Sequence, residues 1–224
     1  MAVTILDAWS GQTAGSPNAA SLTISSGSDR VLVLSYFAEV GTHALTSITV
    51  GTVAPTGSLV ETSPDVSNQK IWTWYWDEAA IASMTGSTVA LSKTGSASKH
   101  DYDYAVYQDV TGGAEFGTSV SSSSATSITV STTSTSTSDD MIAVFANRSS
   151  ANRDITAWDN LTEEWIFRTD YCIGIADGVG GDDDVLLTGD ATAGDIFVQL
   201  IHLKSAAAGN PTMIRMMTEE YLDD

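Results

Sequence analysis

The chain alternates apolar and small polar residues in short runs, and the pattern returns from one end to the other. Leu22-Thr23-Ile24-Ser25, Ser47-Ile48-Thr49-Val50, Ser87-Thr88-Val89-Ala90-Leu91-Ser92 and Ser127-Ile128-Thr129-Val130 each place apolar side chains on one face and Ser or Thr on the other. A two-residue period marks an antiparallel strand with one face on a core and the other in water. Arg30-Val31-Leu32-Val33-Leu34-Ser35-Tyr36-Phe37 and Met141-Ile142-Ala143-Val144-Phe145-Ala146 are instead apolar almost without interruption, which predicts central strands covered on both faces. No comparable stretch carries a helical period; residues 78–84 suit one short helical turn.

Further strands are expected at 3–8, 70–77, 88–92, 102–110 and 196–203, and around Trp158, 165–167 and 171–175, with Gly, Ser, Pro and Asp turns between them. In residues 117–138, 17 of 22 are Ser or Thr, so only the part around Ile128 and Val130 reads as strand and the remainder as surface loop. Ten or so short strands at near-even spacing argue for a two-sheet sandwich rather than βαβ units. The fold class is therefore all-β, an antiparallel β-sandwich over residues 1–205. Ala206-Ala207-Ala208-Gly209-Asn210-Pro211 opens a linker and short C-terminal arm, 206–224.

Composition sharpens this picture. Apolar residues make up 42% of the chain, enough for a core without staples, and the single cysteine, Cys172, excludes an internal disulfide framework. The first residues carry neither a basic region nor a long apolar run, so neither a secretory signal nor a membrane span is expected. Nine Lys and Arg against 28 Asp and Glu leave a net charge of −19. Nucleic-acid and anionic-membrane affinity both rest on clustered cations, so no nucleic-acid partner and no membrane partner is expected.

Three groups of residues are candidates for binding. Trp72, Trp74 and Trp76 alternate and so share a face; aligned indoles there would stack on sugars, or fill the core or a subunit interface, the more usual fate of strand aromatics. Asp182, Asp183 and Asp184 follow a Gly-rich stretch and are a weak calcium candidate whose spacing matches no EF-hand loop; no metal or other cofactor is otherwise expected. In the arm, Met213, Ile214, Met216, Met217, Tyr221 and Leu222 are apolar in a way the Ser/Thr-rich body is not, and suit either docking to a partner or folding back on the domain. His100 beside Asp101 and Asp103 reads as a polar strand start. No nucleophile elbow, zincin motif, P-loop or paired-Glu arrangement is present, so an enzyme is not expected.

The order of the strands resembles a β-sandwich family found in phage virion proteins and in prophage or bacterial surface proteins. The pieces that carry the resemblance are Asp29-Arg30-Val31-Leu32-Val33, Leu45-Thr46-Ser47-Ile48-Thr49-Val50, Ile71-Trp72-Thr73-Trp74-Tyr75, Thr88-Val89-Ala90-Leu91-Ser92, Ala105-Val106-Tyr107-Gln108-Asp109-Val110, Ser127-Ile128-Thr129-Val130 and Asp139-Asp140-Met141-Ile142-Ala143-Val144. The resemblance covers roughly residues 20 to 205, departing from the family where Gly-Gly stands as Gly51-Thr52 and Gly-Val-Asp as Gln108-Asp109-Val110. The resemblance implies a jelly-roll-like sandwich with a role at particle surfaces or in adhesion, and no catalytic residue. The expected function is that of a capsid decoration or cement protein on the outer surface of the virion, made in the cytoplasm of a bacterial host. Its expected partners are the major capsid protein and copies of itself, as a trimer. The alternative is a carbohydrate-binding tail or fibre adhesin with the three indoles as its platform.

Overall fold

The computed structural model describes residues 1–12, 16–40, 44–63, 69–95, 97–117, 120–148, 155–158, 161–168, 172–181, 183–189 and 194–206. The arm residues from Met213 to Leu222 and the acidic-loop residue Asp182 lie outside them. The first half runs β1 (Thr4–Gln12), β2 (Val31–Val40), β3 (Ala44–Val50), β4 (Gly57–Thr62), β5 (Gln69–Trp76), helix α1 (Glu78–Ser83), β6 (Val89–Thr94) and β7 (Ala97–Gln108). The second runs β8 (Gly113–Phe116), β9 (Val120–Ala125), β10 (Ser127–Ser131), β11 (Met141–Arg148), β12 (Ile155–Ala157), β13 (Thr162–Arg168), β14 (Cys172–Val179), β15 (Asp184–Gly189) and β16 (Gly194–Lys204). Every strand pairing is antiparallel. The all-β sandwich predicted from the alternation is the fold observed.

The sandwich has four layers rather than two. A five-stranded sheet, β1-β7-β2-β5-β4, packs on a larger sheet, β13-β14-β11-β16, whose outer strand β16 pairs with both β8 and β9. Val31, Val33, Phe37, Ile71, Ala105 and Tyr107 of the first meet Ala143, Phe145, Ile175, Phe197 and Ile201 of the second in the central core. The outer face of the first sheet is covered by the hairpin-like pair β3-β6, together with Ile81 of α1 and Leu22. The outer face of the second is covered by β10-β15-β12 and Trp158. This explains why β2 and β11 are apolar on both faces: each sits between two cores, and Leu32, Val33, Leu34, Ala143, Val144 and Ala146 are all fully buried.

Strand for strand, the second half repeats the first. The order β7-β2-β5-β4 recurs as β16-β11-β14-β13, and the covering pair β3-β6 recurs as β12-β15. The registers agree: Val31 pairs with Tyr107 and Leu32 with Trp76, as Met141 pairs with Leu203 and Ile142 with Gly178. Reciprocal hydrogen bonds join the halves, from Val3 N–H to the Asp139 carbonyl (2.8 Å) and from Val110 N–H to the Asp29 carbonyl (3.0 Å).

The short helix lies where the apolar run 78–84 predicts it. Asp77 caps it by accepting from Ala80 N–H (2.9 Å), and Glu78 in its first turn binds Arg30 through Nη2 (2.6 Å) and Nε (2.8 Å). Two expectations about strands fail. Leu22-Thr23-Ile24-Ser25 forms no strand, with only an isolated bridge from Ser21 to Thr88 beside it. The Ser-rich stretch before Ile128 is not loop throughout, since Ser121 and Ser122 lie in β9 and pair with Phe197 and Ile196. Strand pairing uses backbone groups, so the edge of β16 recruits a segment whose side chains carry almost no apolar signal.

Candidate functional site

The indole row is part of the core. Trp72, Trp74 and Trp76 all point to the outer face of their sheet and pack under β3-β6, at 9%, 5% and 0% exposure. Trp76 donates its Nε1–H to the Val53 carbonyl (3.0 Å), and Trp72 lies against Tyr36 with ring centroids 5.6 Å apart. A sugar platform needs open ring faces, so these residues do not form one. The internal repeat supplies the physical reason. The positions on β14 equivalent to Trp72, Trp74 and Trp76 are Gly174, Ala176 and Gly178. There the outer layer provides the bulk: a Cβ on Gly174 would fall 2.3 Å from the Trp158 ring. Each half fills the same space from opposite sides.

Asp183 and Asp184 are exposed and serve the turn between β14 and β15. An Asp183 carboxylate oxygen accepts from Ser136 N–H (2.6 Å), and an Asp184 oxygen accepts from the Ser131 hydroxyl (2.5 Å). Asp101 and Asp103 share the inward face of β7, as the alternation predicts, and both are buried. Among the described residues no three His, Cys, Asp or Glu converge on a metal position.

The polar cluster that the structure does assemble lies at the end of the second sheet, where β16 runs out to Ser205. His202 is fully buried on the outer side of β16. Its Nε2 lies 3.1 Å from Asp140, and its Nδ1 lies 3.4 Å from the Ser134 hydroxyl and 3.6 Å from Glu115. Asp140 also accepts from Thr137 N–H (2.8 Å) and Ser205 N–H (2.7 Å), and Lys204 Nζ reaches Glu115 at 2.8 Å. Burial works against the Glu115 carboxylate, but bonds from Lys204, Ser134 and Thr133 outweigh it and hold the group at about 2. For Asp140 burial is likewise outweighed, mainly by the two backbone N–H donors and His202, and its value falls. Beside the cluster opens a cavity of about 390 Å³ lined by Gly112, Thr135, Thr137, Asp139, Asp140, Lys204, Ser205 and Ala206.

Ser134, His202 and Asp140 have the residue types of a nucleophilic triad, yet the hydroxyl of Ser134 donates to Glu115. With its proton directed there, the serine is not activated by His202. The arrangement instead clamps β8, the 132–140 loop and β16 together where the described chain ends. No family model matches this chain. No curated protein and no solved structure matches it either.

Because the folded state depresses Glu115 from 4.5 to about 2, its contribution to stability is complete above about 4.5 and disappears as the pH falls towards 2. Glu115→Gln is expected to flatten the acid limb of the pH dependence of stability over that interval while lowering the stability at pH 7 by only about 1 kcal/mol. Acid melts of the two proteins measure it.

Proposed function

We propose that this chain is a structural protein of a phage particle, a decoration or cement protein seated on the outer surface of the head and assembled as a trimer on the major capsid protein. The observation that carries the reading is the burial of Trp72, Trp74 and Trp76 within a sandwich whose two large sheets are covered on both faces. That burial removes the residues on which a sugar-binding role would rest and leaves a rigid body whose product is its outside. A charge of −19 suits the outer face of a head, since packaged DNA would repel it from the inner one.

Contact with a capsid then falls mainly to the arm. Large apolar side chains exposed on the described strands are Ile5, Val60, Val179 and Leu186, one from each of four strands. The arm carries Met213, Ile214, Met216, Met217, Tyr221 and Leu222 in close succession, and it follows the clamped end of β16. A chain truncated after Ala208 is expected to keep its melting temperature but to lose most of its occupancy when added to particles stripped of the protein. Quantitative gels of sedimented particles measure this, and unchanged occupancy would sink the arm's role.

A further inference from the structure

The layer between the two large sheets carries a satisfied polar pair in its middle, where Thr73 donates to Gln199 Oε1 (2.6 Å), and a second polar group at one end. At that end Ser63 N–H donates to the Gln69 carbonyl (3.0 Å), continuing the β4-β5 ladder, so both side chains share the inward face of Ile71. From the opposite sheet Asp195 reaches Ser63, oxygen to oxygen 2.5 Å. Asn147 is paired with Phe197, which places it diagonally beside Asp195 on the same inward face. All four side chains are buried.

Three polar atoms at this end are unmet. Asn147 is 0% exposed, and neither its Oδ1 nor its Nδ2 has a hydrogen-bond partner; Gln69, at 6%, leaves its Oε1 without one. Each such atom costs about 1–3 kcal/mol when nothing fills its place, and buried polar groups are almost always satisfied. The oxygens gathered at this end are two unmet amide carbonyls, from Asn147 and Gln69, and the Asp195 carboxylate with the Ser63 hydroxyl that donates to it. Glu39, opposite Gln69 in the β2-β5 register, adds a second carboxylate to that face.

An all-oxygen set with amide carbonyls and carboxylates is the chemistry of a hard cation, and it offers no nitrogen or sulfur for zinc. We propose that a calcium ion binds between the sheets here, held by Asn147 Oδ1, Gln69 Oε1, Asp195 and Ser63, with water completing the shell. The site differs from the acidic loop at Asp183 and Asp184, whose oxygens are engaged in the turn. Since no three carboxylates converge among the described residues, the affinity belongs to the weak class, about 10⁻⁴–10⁻³ M.

The test is thermal unfolding of the chelator-treated full chain with calcium, against magnesium at equal ionic strength. At tenfold excess over Kd, calcium is expected to raise the midpoint by about 3–6 °C. Asn147→Leu, which replaces the unmet amide by an apolar group of similar size, is expected to abolish that rise. Magnesium matching calcium, or a rise that persists in Asn147→Leu, would overturn the site as mere screening of the acidic surface. Equilibrium dialysis of the unaltered chain with radioactive calcium decides the matter if that variant fails to fold. One ion per chain supports the site, and no binding, or many weak ions, refutes it.

Discussion

Trp74→Ala is expected to cost the protein about 3–5 kcal/mol, seen as a fall of roughly 6–20 °C in the thermal midpoint for a domain of this size. The indole fills the space between the first large sheet and its cover, among Leu34, Tyr104 and the residues of β3 and β6. Because neighbours relax only partly into such a gap, the loss includes the cavity as well as the buried area. A solvent-facing platform would behave in the opposite way, losing sugar binding at an unchanged melting temperature. Trp158→Ala is the counterpart in the second half, where that one ring fills the space above Gly174, and a similar fall is expected.

Asp103→Asn is expected to stabilise the protein at pH 8 and to do nothing at pH 4. Burial pushes the Asp103 carboxyl up to about 7 from its ordinary 3.8, and bonds from the backbone of Tyr104 and Ser10 offset only part of that. A raised carboxyl favours the protonated fold. The cost of charging it is absent below about 3.8, grows as the pH rises, and is complete above about 7. Asparagine keeps the shape and the acceptor for Tyr104 N–H (2.8 Å) without the charge. A gain on the order of 2 kcal/mol at pH 8 is expected, smaller than the whole shift implies because the interior relaxes around the ion. Urea melts at the two pH values measure it; equal stability of both proteins at pH 8 would contradict the buried placement of Asp103.

Much of the fold is legible in the chain because sheets write their burial directly. The uninterrupted runs of β2 and β11 announce strands between two cores, and the single helical turn at α1 is announced by Glu78 to Met84. That the indoles are buried is the usual fate of strand aromatics, but what buries them is not legible. Alternation puts Trp72, Trp74 and Trp76 on one face, but what covers that face comes from β3 and β6, on either side of them in the chain. The repeat is hidden for a related reason: equivalent positions carry Trp in one half and Gly or Ala in the other, so packing is preserved while identity is inverted. The cluster around His202 escapes notice as well. Its partners Ser134 and Asp140 lie 68 and 62 positions away, and a lone histidine in an apolar strand carries no motif. The signal available was a polar residue inside the run Ile201-His202-Leu203, which demands a buried partner.

The role at a particle surface is tested most directly by counting copies of the chain in purified virions, by quantitative mass spectrometry against the major capsid protein, with surface labelling to show which side they occupy. A fixed ratio, with the chain labelled on intact particles, is the expected result. Its absence from particles, or its presence only within them, would contradict it.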